Sequence, residues 1–203
     1  MCAVALPVEP AALDVRPELG QMVGTSERYE KYLSDLAGLY RDGDAYDRAL
    51  ALDDGSAVYW VESSTVQKGE GALTIGISVL RAGSIGDEFA MTRGHLHRAA
   101  QEAEMYYGLS GEGVMLLETV DGRSRAVPIS AGVVVHVPGG WVHRSVNVGD
   151  ETLTTLFCYA TDAGQDYDII ERAGGMKQLV VATPEGWSTR PNPDHKGFHV
   201  EQR

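Results

Sequence analysis

The strongest constraint in this sequence is a succession of short β-rich runs, beginning near residue 57 and broken by glycine turns. They lie at 57–62, 73–80, 88–92, 104–109, 113–119, 124–129, 132–137 and 152–159, with a last one at 179–183. Between them stand turn signals such as Ala82-Gly-Ser, Ser110-Gly-Glu-Gly, Val120-Asp-Gly, Pro138-Gly-Gly and Val148-Gly-Asp. Short strands at that spacing, joined by such turns, build an all-β sandwich or barrel. The chain's 24 glycines are the turn material this requires. No internal repeat of about 20–50 residues and no Rossmann or P-loop glycine pattern is present.

The sequence divides accordingly. Residues 1–53 are expected to form a helical or extended N-terminal arm that packs on the barrel or on a dimer partner. Within it Tyr29, Leu33, Leu36 and Tyr40 fall at helix-like spacings after Ser26, a good N-cap. A second short helix is predicted over 44–52. Residues 54–185 form the barrel, and 186–203 a tail that is irregular from Arg190 onward.

Composition sets the class of partner. Seventeen Lys and Arg against 29 Asp and Glu give a net charge of −12, with 43% hydrophobic residues, as in a globular chain. No Lys/Arg-rich run is present, so nucleic acid is excluded as a partner: phosphate contacts along a duplex need a basic face. The N-terminal stretch MCAVALPVEP lacks a basic region and a long apolar run, so neither a signal peptide nor a membrane span is expected. Cys2 and Cys158 form no CxxC pair and suggest no disulfide framework. The expectation is a cytoplasmic protein in a reducing compartment.

The chemistry concentrates in Thr92-Arg-Gly-His95-Leu-His97, followed by Glu104 and, further on, His143. On a strand, His95 and His97 point to the same side, because side chains alternate faces. Glu104 begins the next strand and His143 follows the Pro138-Gly-Gly turn. Three imidazoles and a carboxylate make a borderline-to-hard divalent metal site with room for substrate oxygens, suited to Fe(II), Mn(II), Ni(II), Co(II) or Zn(II). Two cysteines cannot make a four-Cys zinc site. His136 reads as structural, Trp141 as packing, and His195 and His199 have no partner by spacing.

These residues carry a family resemblance. Gly132 to Asn147, with Pro138, Gly140 and His143, matches the second cupin motif at every specified position, and Glu104 to Gly111 matches the end of the first. The first motif departs from the common form in two ways: six residues separate His97 from Glu104, and Phe89 stands where the motif has Gly. The string Thr92-x-Gly-His-x-His-(x)6-Glu-x-Tyr106 instead resembles the cupin-type phosphoglucose isomerases. Val58-Tyr59, Gly86-Asp-Glu-Phe and the stretch Tyr159 to Tyr167 agree with it, over roughly residues 50–180.

The resemblance implies a double-stranded β-helix, that is, a jelly-roll barrel, and a homodimer to which the N-terminal segment contributes. It implies an enzyme interconverting glucose 6-phosphate and fructose 6-phosphate. His95, His97, Glu104 and His143 match the metal ligands, with one divalent cation per subunit and Fe(II) placed first. Ser78, Thr92 and Gly94 match positions that hold the substrate phosphate. Tyr59, Tyr106, Tyr159 and Tyr167 match tyrosines lining the substrate pocket. Gln165 stands where the family has His, and an amide cannot titrate. Glu104 is the candidate for moving the proton through an enediolate, while a metal-assisted hydride shift needs no such base; the sequence leaves both routes open. Other readings of the same motifs are a cupin dioxygenase, a different sugar-phosphate isomerase or epimerase, or a sugar-binding cupin without activity.

Overall fold

The computed structural model describes residues 8–199, so Cys2 and most of the stretch read for a leader segment lie outside it. The chain is built from antiparallel strands. A six-stranded sheet runs in the order Val134–Val137, Glu104–Ser110, Leu153–Ala160, Leu73–Leu80, Tyr59–Thr65 and Glu27–Lys31. A three-stranded sheet, with Glu112–Thr119 between Ser124–Ser130 and Trp141–Asn147, packs against it. A smaller sheet carries the C-terminal hairpin of Gln178–Thr183 and Gly186–Pro191. The expected all-β jelly-roll architecture is therefore present.

Alternation gives the large sheet an inner face. Register pairs Tyr106 with Phe157, Phe157 with Gly76, Gly76 with Ser63 and Ser63 with Glu27. The next inner row runs Thr155, Ser78, Val61 and Tyr29, and the row on the other side holds Glu104, Tyr159 and Thr74. Opposite this face, buried Met115 and Leu117 stand in register with Ser145 and His143. Val114, Leu116, Val142 and Val146, all buried, form the apolar core on the other face of the small sheet, toward the C-terminal hairpin. Gly76 is required where it stands. A Cβ there would lie 2.4 Å from the Phe157 ring and 2.5 Å from the Glu62 carbonyl oxygen.

The N-terminal segment differs from its predicted helix. Residues 27–31 are the edge strand of the large sheet, and Leu33–Leu36 is a single 3-10 turn. Leu33, Leu36 and Tyr40 are buried, as their spacing suggested, but a turn and a loop place them there. The second helix is present as Gly43–Ala51, capped by Asp42, whose carboxylate accepts from the Ala45 N–H. No helix among the described residues is long and apolar enough to cross a membrane. The tail is more regular than expected, because Gly186–Pro191 pairs with Gln178–Thr183.

Glu118 ties that C-terminal hairpin to the barrel. Its buried carboxylate accepts from the Lys177 N–H (2.6 Å), the Gln178 N–H (2.8 Å) and the Ser124 hydroxyl (3.1 Å). Removing it strands two backbone donors in the interior. Glu118→Ala is expected to cost about 2–4 kcal/mol in urea unfolding, and Ser124→Ala about 1 kcal/mol or less. Equal stability of Glu118→Ala and wild type would show that the anchor contributes nothing.

Candidate metal centre

Four side chains from three segments meet at one buried point. His97 lies on the short strand Leu96–His97, and His95 just before it forms a bridge with His143. His143 sits in Trp141–Asn147 and Glu104 starts Glu104–Ser110. The ladder is continuous here: the His95 N–H donates to the His143 carbonyl and the His143 N–H to the His95 carbonyl. The approach is possible because residue 94 is glycine. Its φ is +75°, and a Cβ would fall 2.7 Å from the His143 carbonyl oxygen and 2.8 Å from Arg144 Cβ.

The donor atoms of His95, His97, Glu104 and His143 lie within 4.8 Å of one another. Glu104 Oε2 is 3.0 Å from His143 Nε2, 3.1 Å from His97 Nε2 and 3.5 Å from His95 Nε2. On the far side, His97 Nδ1 meets the Glu102 carbonyl at 3.1 Å and His143 Nδ1 the Trp141 carbonyl at 2.9 Å. A carbonyl only accepts, so both Nδ1 atoms carry the proton and both Nε2 atoms can turn lone pairs inward. Lone pairs aimed at a carboxylate oxygen repel unless positive charge lies between them. His95 Nε2 is buried with no hydrogen-bond partner. The donor set therefore fits a divalent cation.

Electrostatics agree. Burial, with His143 beside it, pulls His95 down to about 4, so it is the neutral imidazole that a ligand must be. Burial alone would raise Glu104, but the three imidazoles outweigh it and hold the carboxyl well below its usual range. Burial alone would lower His97, yet the Glu104 carboxylate raises it. The point where the donors converge favours positive charge.

A cavity of about 300 Å³ opens over this cluster, the size of a small-molecule site. Every residue expected to touch substrate lines it: Tyr59, Ser78, Thr92 and Gly94, together with Tyr106, Tyr159 and Tyr167. His95, Glu104 and His143 also reach its wall, and His97 is buried beneath. Burial pushes Tyr59 up to about 12 and Tyr106 well above the ordinary phenol, so both remain neutral hydroxyls. Tyr59 accepts from the Arg93 N–H at 3.3 Å, and Thr92 Oγ1 accepts from the Ser145 N–H at 3.1 Å. Gln165, paired with His97 across Gln165–Asp166, also lines the cavity.

Sequence reasoning missed several lining residues. Glu27 and Tyr29 come from the edge strand read as helix, and only register with Ser63 and Val61 puts them on the inner face. Ser63 and Ser145 follow by alternation from Val61 and His143, a signal present in the sequence. Arg144 lines the cavity as well, and nothing in its spacing announced it. Elsewhere, His136 is exposed on the outer face, and His195 packs on Phe198 while its Nδ1 meets the Gly175 carbonyl at 2.8 Å. Cys158 is a free thiol.

The sequence comparisons with known proteins point to one family. A family model described as glucose-6-phosphate isomerase matches residues 30–196. The glucose-6-phosphate isomerase of Sinorhizobium medicae is 44% identical over 178 residues, covering 88% of this chain and 83% of that protein. That of Thermococcus kodakarensis is 39% identical over 171 residues, covering 84% and 89%. Among solved structures, a Bacillus subtilis oxalate decarboxylase aligns over 53% of this chain and 27% of its own, with 26% identity and a TM-score of 0.44.

Removing one ligand should release the cation. In His143→Ala, metal measured by inductively coupled plasma spectrometry is expected to fall from about one ion per chain to a tenth or less, since three remaining donors bind far more weakly. His136→Ala, on the outer face, is the control expected to keep its metal. Full occupancy in His143→Ala would remove His143 from the ligand set.

Proposed function

The chain belongs to the cupin-type glucose-6-phosphate isomerase family, and from that premise we propose that the cavity interconverts glucose 6-phosphate and fructose 6-phosphate. The observation that carries this reading is the convergence of His95, His97, Glu104 and His143 on the floor of a cavity walled by hydroxyls. The four residues hold one divalent cation per subunit, with Fe(II) first among Mn(II), Ni(II), Co(II) and Zn(II). When bound, such a cation supplies Lewis acidity to the carbonyl and hydroxyl oxygens of the sugar.

The protein's own groups do the rest. The Ser78 hydroxyl makes no hydrogen bond to the described residues and is available to a ligand. Ser78, the Thr92 hydroxyl and the Gly94 N–H hold the phosphate. Tyr59, Tyr106, Tyr159 and Tyr167 orient the sugar hydroxyls as neutral donors and acceptors. Glu104 moves the proton: its Oε2 faces the imidazoles, which leaves Oε1 to take hydrogen from C2 of the aldose and return it to C1. A second proton passes between the two oxygens, so the step balances without oxidant or reductant. Gln165 cannot share in this transfer and acts by hydrogen bonding alone, beside Tyr159.

The family supports the homodimer, as does the exposed apolar outer face that includes Val134 and Tyr107. The absence of a membrane-length helix among the described residues accords with a cytoplasmic enzyme.

A coupled assay on glucose 6-phosphate tests the reading. Activity is expected in the purified protein, to vanish on dialysis against EDTA and to return with a divalent cation. Full activity after verified metal removal would end the metal's role. In D2O, the fructose 6-phosphate formed is expected to carry solvent deuterium at C1. Complete retention of the substrate hydrogen would assign the transfer to a direct shift between carbons and take the proton from Glu104.

A further inference from the structure

Beneath the cavity lies a cation that the reading above does not use. Arg144 is 5% exposed and forms no ion pair with any described residue. Its Nη2 donates to the Arg93 carbonyl at 2.8 Å, its Nη1 contacts Met91 Sδ at 2.7 Å, and its Nε has no partner. Five N–H donors thus share one carbonyl and one thioether, and a thioether is a weak acceptor. Burying a guanidinium on those terms is expensive, and an apolar side chain of similar volume would pack there at lower cost. No acid hydrogen-bonds to it. Glu118 is committed to the C-terminal hairpin, and Glu88, whose Oε1 accepts from the Arg41 N–H while its buried Oε2 has no partner, acts on it only through space.

The contact with Arg93 leads to the cavity wall. The Arg93 carbonyl and the Gly94 N–H belong to one trans peptide, so they point in opposite directions. Along this segment the Thr92 N–H donates to the Ser145 carbonyl, the Arg93 N–H to Tyr59 and the His95 N–H to the His143 carbonyl. The Gly94 N–H alone among these four has no acceptor in the described structure, and Gly94 lines the cavity. A guanidinium on the carbonyl orients this peptide and strengthens the N–H at its other end as a donor. It also places a full positive charge in a low-dielectric wall, where its field is little screened.

We propose that Arg144 is the positioning residue for the anionic group of the substrate, acting through the Arg93–Gly94 peptide and through its own buried charge. The inference rests on the reading that a sugar phosphate occupies the cavity. It explains how a chain of net charge −12 holds a phosphate in a cavity whose described lining includes no Lys or Arg besides Arg144.

The test uses Arg144→Gln and Arg144→Met, with Arg144→Lys keeping the charge. Each is loaded with metal, checked for metal content and titrated with inorganic phosphate by calorimetry. KM and kcat are then measured on fructose 6-phosphate, with neutral fructose binding as the comparison. Expected are a loss of phosphate affinity of about tenfold or more in Gln and Met and a matching rise in KM. The change in kcat should be smaller than that in KM, fructose binding should not move, and Lys should retain most of the phosphate affinity. Should Met not fold, Gln decides, since its amide can still donate to the Arg93 carbonyl. Unchanged phosphate affinity in the uncharged variants overturns the proposal, as does equal weakening of phosphate and fructose. A wild type that binds phosphate in an Arg144-dependent manner but does not isomerise glucose 6-phosphate would sink the functional reading and leave Arg144 in place.

Discussion

The structure is organised around a repulsion. Three imidazole nitrogens and a carboxylate oxygen are held with their electron pairs facing one buried point, within 4.8 Å. Nothing in these side chains attracts them to one another in that state. The backbone must impose the arrangement, and it does so from outside the cluster. The Glu102 and Trp141 carbonyls take the outer protons of His97 and His143, and paired hydrogen bonds lock His95 to His143. Each of these contacts ties a ligand to main chain rather than to another mobile side chain, so the donors keep their positions as a cation enters.

The rest of the fold can be understood as the support for this point. Alternation in the large sheet sends Glu104, Tyr106, Ser78 and Tyr159 to one face, and Met115, Leu117, His143 and Ser145 of the small sheet close the space opposite. Two glycines permit approaches that no other residue allows. Gly76 makes room for the Phe157 ring on the cavity's inner row, and Gly94 lets the ligand strand pass against His143 in a left-handed turn. Hydroxyls, the Gln165 amide and neutral phenols thereby make up much of the cavity wall, together with the Glu27 carboxylate and Arg144. The overall acidity of the chain is a property of its outer surface and leaves the site's own field to the cluster and to Arg144.

Much of this was legible in the chain. The ligand motif is local or nearly so: His95, His97 and Glu104 lie within ten residues, and the glycine and proline around residue 140 announce the turn that delivers His143. Strands with clear alternation, such as 73–80 and 104–109, were found close to their observed bounds. The failures share a cause. Residues 26–40 have an apolar spacing that suits a helix, yet Glu27–Lys31 gains more by pairing with 59–63, thirty residues on. Local periodicity cannot report a partner that distant. The same blindness hid Glu27 and Tyr29 from the list of cavity residues. Arg144 was hidden for another reason: a charged residue on a strand is read as solvated, and only packing reveals that this one is buried.

The sequence by itself determined the chemistry: which donors exist, that they are three imidazoles and a carboxylate, and that hydroxyl-bearing residues recur at strand spacings near them. Those are properties of residue type and local order, and they survive any folding. Only the tertiary structure decided what faces what. It set which lone pairs converge, which tyrosines share a cavity, which strand closes its edge, and which cation lies beneath it. Such relations depend on register between strands far apart in the chain. A slip of one residue in any of them would turn the same side chains to the opposite face.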